Sequence, residues 1–254
     1  LEFCRQCLWP GMDVHLISAT EQFAQFAIAG PKARKLLKKI VDPEFDISND
    51  AFPYMNCGEI TVCGGAPARL FRISFSGELG YEIAVPARYG DSLIRVLMAV
   101  GEEFDVVAYG TEALGVMRIE KGHAAGNELT GQTTARDLGM GRMVSQKKDC
   151  IGKTLSERKE LNHEDGLTLM GFRPLNREDS LMAGAHFVAG AKDPTTEHDE
   201  GWMSSVAHSP SLGHSIGLGF IKRGHERLGE IVRASNPLRG TDTEVEIISP
   251  HFID

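Results

Sequence analysis

The chain lacks several things, and each absence removes a class of function. No apolar run approaches the ~18–20 residues that a membrane-spanning helix needs, so no such helix is expected. Cationic charge is in deficit: 27 Lys and Arg stand against 35 Asp and Glu, a net charge of −8. An acidic chain repels polyanions at long range, which argues against nucleic acid and anionic membranes as partners. Common catalytic signatures are missing too: there is no P-loop, no G-x-G-x-x-G after a strand, no H-E-x-x-H and no G-x-S-x-G. Cysteines are few and odd in number (Cys4, Cys7, Cys57, Cys63 and Cys150), and no secretory signal pattern opens the sequence. These features point to a reducing, cytoplasmic setting. Cys4-x-x-Cys7 has no second close pair to complete a zinc set, so no metal site is expected.

What is present is ordinary for a folded protein. Apolar residues make up 42% and charged residues 24% of 254, which excludes disorder over most of the length. At ~150 residues per domain this length gives about two domains. The cluster Lys32, Arg34, Lys35, Lys38 and Lys39 reads as the solvated face of a helix whose other face is Ala33, Leu36, Leu37 and Ile40. The opening on Leu1 within a helix-like stretch, and the stop at Asp254 just after a strand-like one, are expected of a segment of a longer polypeptide.

The patterning changes along the chain. Val14–Ile17 reads as a strand start, and Phe23, Phe26 and Ile28 continue the apolar pattern. Gly30–Pro31 then opens a helix to Ile40. Cys57–Val62 and Ala68–Phe75 read as strands around Gly64–Gly65, with Phe71, Ile73 and Phe75 on one face. Ser76–Gly80 is a turn before a strand at Tyr81–Val85. Helices follow at 91–104 and 111–121, so this part is α+β. Six short apolar segments then recur at even spacing: Leu167–Phe172, His186–Val188, Met203–Ala207, Ile216–Ile221, Ile231–Ala234 and Val245–Ile248. That is the pattern of a small all-β sandwich or barrel. A polar linker at Asn162–Gly166 separates residues 1–164 from 165–254.

Carboxylates are the remaining chemistry. Glu78 lies in a glycine turn. Glu82 lies early in a strand, where alternation sends Tyr81 and Glu82 to opposite faces. Glu82 then faces outward or into a cleft. Glu120 is placed to pair with Arg118 at a helix end, and Glu128 is a loop carboxylate.

Five motifs in order resemble the aminomethyltransferase (glycine-cleavage T-protein) family. They are RISFSGELGYE over Arg72–Glu82, Arg118-Ile-Glu-Lys-Gly122, Gly126-Asn-Glu128, Cys150-Ile-Gly-Lys153 and Ser209-Pro-Ser-Leu-Gly-His-Ser-Ile-Gly-Leu218. Within it, Tyr109–Leu114, Asp137–Met140, Lys222–Gly229 and Ser249–Phe252 are most similar to the branch formed by C-terminal parts of heterotetrameric sarcosine oxidase alpha subunits. The resemblance implies a ferredoxin-like α+β folate-binding module followed by a small C-terminal β-barrel. It implies tetrahydrofolate as the cofactor, with the pteridine held by Glu82. Phe75 stands where relatives often carry a Tyr near the ring system, and Tyr81 flanks it. A carboxylate suits the role because it accepts two parallel N–H bonds from an aminopyrimidine edge. Two arginines of relatives align here with Leu114 and near Met182, which removes contacts to the folate tail.

The family's catalytic aspartate is expected upstream of residue 1, since Asp13 is too close to Gly30 to be its match. No catalytic residue is therefore expected within the chain. The implied reaction is capture, by folate, of the one-carbon unit from sarcosine oxidised at a flavin. FAD, NAD and FMN, and the other oxidase subunits, are expected only in the complete enzyme. The rival readings are a glycine-cleavage aminomethyltransferase, a dimethylglycine dehydrogenase-type module, and a non-catalytic folate-binding or subunit-docking module.

Overall fold

The computed structural model describes residues 1–162 and 165–253. His163 and Glu164, in the middle of the expected linker, lie outside the described residues. By compactness the chain divides into Leu1–Ala108 and Tyr109–Asp254.

The first unit holds one antiparallel sheet of four strands in the order β1-β4-β3-β2. These are β1 (Phe23–Ala29), β2 (Cys57–Val62), β3 (Ala66–Phe71) and β4 (Gly80–Pro86). Helix α1 (Glu2–Gln6) precedes them. Helices α2 (Ala33–Leu37) and α3 (Gly90–Gly101) supply Leu36, Leu37, Leu93 and Leu97 to a core shared with Ile60, Leu70, Tyr81, Ile83 and Val85. Period-two alternation on β4 and period-3.6 spacing on α3 thus meet on one side of the sheet.

Two expected strands are corrected. Residues 14–17 form no strand: Ile17 is 79% exposed and no strand among the described residues pairs with it. An apolar run without a ladder partner cannot satisfy its backbone as a strand. The second hairpin strand begins at Ala66 and ends at Phe71 instead of Phe75. Beyond Phe71 the pairing with the β2 side continues only irregularly: Arg72 N donates to Asn56 O at 2.8 Å, but the return bond to Arg72 O comes from Met55 N at 3.0 Å, and Met55 has φ +68°, so the regular ladder ends there.

Asp42 clamps the β2–β3 hairpin. Its carboxylate accepts from Thr61 Oγ1 at 2.5 Å and from the backbone N–H groups of Gly64 and Gly65, each at 2.8 Å. The Thr61 hydroxyl, then the Gly64 and Gly65 amides, hold its pKa below the ordinary carboxylate value. The sign follows from linkage: a lowered folded pKa adds stability above the unfolded pKa, and that stability is lost as pH falls through the folded value. The Gly64 and Gly65 amide signals are expected to titrate with a midpoint below that of a free aspartate in NMR spectra. Asp42→Asn is expected to abolish the titration, and a midpoint at or above the free value would remove the clamp.

The second unit is dominated by a closed six-stranded barrel in the order β10-β5-β8-β7-β6-β9. Its strands are β5 (Leu167–Pro174), β6 (His186–Ala189), β7 (Asp199–Ser209), β8 (His214–Lys222), β9 (Ile231–Asn236) and β10 (Thr241–Ile248). All six apolar segments read from the sequence fall inside these strands. One core contains the stacked Phe172 and Phe187 rings, with centroids 4.1 Å apart, packed with Met170, Met203 and Ile247. A second contains Leu169, Ile216, Leu218 and Phe220 with Ile119. Ile119 comes from α4 (Thr111–Glu120), which packs on β7 and β8 and so belongs with the barrel by contact. A short α5 (Lys153–Ser156) follows in the irregular stretch before β5.

Candidate functional site

In the first unit the sheet has two chemically different faces. Tyr81, Ile83 and Val85 point into the core, as the alternation requires. Tyr81 is 1% exposed, and its hydroxyl accepts from Arg34 Nε at 2.6 Å. Arg34 also donates through Nη2 to Asn49 Oδ1 at 2.5 Å. The cationic cluster around residues 32–39 is therefore not uniformly solvated, because Arg34 serves the core tyrosine.

Glu82 occupies the opposite face and is half-buried. Its cross-strand neighbours are Ala27 on β1 and Phe71 on β3. Gln25, one pleat along β1, donates through Nε2 to Glu82 Oε2. That bond fixes the carboxylate and leaves Oε1 without a partner among the described residues. A carboxylate has about four acceptor positions, so a two-point contact to a planar N–H edge remains open. Arg69 and Phe23 share this face, with the guanidinium 4.6 Å from the ring centroid.

Glu78 is an exposed turn residue. Phe75 sits in the same 72–79 segment and is 41% exposed. The segment folds back against the start of β4: a Cβ at Gly80 would lie 2.7 Å from Ser74 Cβ, so only glycine permits this approach. Of the three residues expected around a ligand, Glu82 and Phe75 are thus on accessible surface, while Tyr81 supports β4 from beneath.

The second unit contains a buried polar cluster that the sequence did not reveal. Glu128 is 0% exposed and Arg118 is 7% exposed. Arg118 Nη1 donates to Glu128 Oε2 at 3.0 Å, and Nη2 donates to Ser205 Oγ at 2.7 Å. The expected pairing of Arg118 with Glu120 gives way to this one. Glu120 instead accepts from Ser209 Oγ at 2.5 Å. Every acceptor position on Glu128 is taken by protein, so the cluster holds α4 and its following loop to β7. Among the described residues no group of three or more His, Cys, Asp and Glu side chains is arranged to hold a metal ion.

Comparison with known proteins matches this architecture in both parts. The GCVT N-terminal domain model covers residues 3–148, and the glycine cleavage T-protein C-terminal barrel domain model covers residues 168–254. The chain belongs to the glycine-cleavage T-protein (aminomethyltransferase) family. It is 46% identical, over its full length, to a sarcosine oxidase subunit alpha of Rhizobium meliloti, of which the match covers 26%. It is 28% identical, over 96% of its length, to an aminomethyltransferase of Chloroherpeton thalassium, covering 64% of that protein. The chain spans about a quarter of the length of the sarcosine oxidase subunits it matches. The aminomethyltransferase T of Bartonella henselae shares the fold, with a TM-score of 0.71 at 22% identity over 91% of this chain and 60% of that one. The aminomethyltransferase fold with a closed barrel, expected from the motifs, is the fold observed.

Gln25 carried no signal in the sequence. It is an ordinary polar residue at an exposed strand position, and only the β1–β4 register brings it to Glu82.

Proposed function

We propose that this chain is the tetrahydrofolate-binding, aminomethyltransferase-like C-terminal portion of a sarcosine oxidase alpha subunit. In that role it captures the one-carbon unit from oxidative demethylation of sarcosine as methylene-tetrahydrofolate. The observation that carries the reading is 46% identity to such a subunit along the whole chain. Tetrahydrofolate supplies the amine nitrogens that accept the one-carbon unit. The chain's own part is to hold and orient the pteridine. Glu82, fixed by Gln25, accepts N–H bonds from the aminopyrimidine edge. Phe75, exposed on the 72–79 segment, offers a stacking face, and Tyr81 fixes the strand from the core. FAD, NAD and FMN, the catalytic aspartate and the docking of other subunits are assigned to the complete enzyme, in the cytoplasm. The 254 residues alone are expected not to transfer the one-carbon group. We place the division between the two family domains at 164/165, inside the 149–167 interval that neither family model covers.

Glu82→Gln tests the reading in the full-length subunit. A charge-assisted hydrogen bond is worth ~1.5–3 kcal/mol net, and ~1.4 kcal/mol is tenfold in affinity. Calorimetric titration with tetrahydrofolate is expected to show binding weakened by about tenfold to a hundredfold. Glu78→Gln is the control and is expected to bind as the parent does. Equal affinity of the two variants would remove Glu82 from the site. A dimethylglycine dehydrogenase-type module is the second reading, favoured by 33% identity over 146 residues to the mouse enzyme, although that match covers 56% of this chain. Oxidation of dimethylglycine in preference to sarcosine would select it.

A further inference from the structure

A cavity that the folate reading does not use lies in the second unit, within the irregular stretch 131–161. Its volume of about 750 Å³ falls in the range of ~300–1,000 Å³ typical of small-molecule sites. Arg136, Arg142 and Lys153 line it against the single carboxylate of Glu157. In a chain of net charge −8 this is a local reversal of sign. Arg136 is occupied, since its Nη1 donates to Asn162 Oδ1. Arg142 and Lys153 enter no ion pair among the described residues.

The rest of the wall is mixed: Thr133, Thr134, Gln146 and Ser156 lie beside the aliphatic Val144, Ile151, Leu155 and Leu161. Ile151 is 70% exposed and Leu155 54%, and both line the cavity. A single exposed aliphatic residue is ordinary, but here two share a concave wall with two unpaired cations. We infer that this cavity binds a small amphipathic carboxylate. Its apolar body covers Ile151 and Leu155, and its carboxylate accepts hydrogen bonds from Arg142 and Lys153. Charge-assisted bonds of this kind are the strong ones, and they orient the ligand with its acid group at the cationic side. A neutral alcohol of the same length answers only the apolar wall, and a compact polyanion only the cations. The inference is independent of the folate reading, because it concerns other residues in the other unit.

Cys150 makes the site measurable. It is an exposed thiol lining the cavity, while Cys57 is an exposed thiol on β2 and serves as an internal reference. The probe is decanoate, below its micellar concentration and at about ten times its Kd. It is expected to slow alkylation of Cys150 by iodoacetamide about tenfold, with Cys57 unchanged, as read by peptide mass spectrometry. Decanol and pyrophosphate are expected to protect by less than about twofold, and Arg142→Gln with Lys153→Gln to remove the protection. Both positions bear on no core contact, so the double variant is expected to keep the parent circular dichroism spectrum. No protection at Cys150 overturns the inference, as does equal slowing at Cys57, protection by decanol equal to that by decanoate, or protection that survives in the double variant.

Discussion

Glu128→Ala is expected to destabilise the barrel-containing unit by about 3–5 kcal/mol, the cost of removing one partner of a buried ion pair. Ser204 and Ser205 donate to Glu128 Oε1 at 2.5 and 2.6 Å. Arg118 and the Ala125 amide donate to Oε2 at 3.0 and 2.8 Å. Truncation leaves the guanidinium buried with Ser205 Oγ and the His123 carbonyl as its acceptors among the described residues. It also leaves the Ser205 hydroxyl and the Ala125 amide to find new acceptors, while the Ser204 hydroxyl keeps the Leu218 carbonyl at 3.1 Å. A whole domain is stable by only ~5–15 kcal/mol, so a loss of this size is readable as a large fall in the urea midpoint. The double variant Arg118→Met, Glu128→Leu is expected to recover much of it, because no unpaired charge is then left inside. A Glu128→Ala loss below about 1 kcal/mol would mean that the cluster is not sealed from water.

Gly201→Ala should be the most damaging single methyl group in the barrel. Gly201 pairs with Ile221 across β7 and β8 and has φ +145°. A Cβ there would lie 1.9 Å from the Phe220 carbonyl oxygen and 2.9 Å from Ile221 Cα. Both obstacles are backbone, so relief requires moving β8 away from β7. Backbone strain costs ~1–3 kcal/mol and overpacking a further ~1–3 kcal/mol, so a loss of about 3–5 kcal/mol is expected. Gly240→Ala is the control: φ is +65° there, but nothing lies within 4 Å of the added methyl. It is expected to cost about 1 kcal/mol. Denaturant titration of the two variants separates the effects, and equal losses would show that β7 and β8 part without difficulty.

These two sites mark where the sequence is legible and where it is not. The barrel strands could be read because each repeats an apolar pattern between turn residues, and a closed barrel rewards that pattern at every strand. Val14–Ile17 carries the same local signal and forms no strand, since pairing is decided by a neighbour that the local sequence does not contain. β3 stops at Phe71 for a related reason: the facing chain is irregular at Met55, whose φ of +68° breaks the ladder, and nothing local to residues 72–75 announces it. Tyr81 and Glu82 were correctly sent to opposite faces, because the two-residue period of a strand allows nothing else. The environment of Glu128 was hidden: Ser204 and Ser205 reach it from 76 and 77 positions away. A single carboxylate in a loop gives no hint that four donors will converge on it.

The contrast between a closed barrel and an open sheet also bears on how the protein ages in solution. The barrel strands form a ring and offer no terminal strand to a neighbour. β1 ends the four-stranded sheet, and its outer side pairs with no strand among the described residues. Its seven residues, Phe-Ala-Gln-Phe-Ala-Ile-Ala, carry no charge, no proline and no glycine. At the other end of the sheet β2 carries Glu59, and its Val62 is bridged to Val41. A neutral, aromatic, proline-free terminal strand is the kind of segment from which ordered aggregates grow. Loss of material on storage is therefore expected to be seeded at β1, by a stretch that takes no part in the barrel, and not at the charged β2 end.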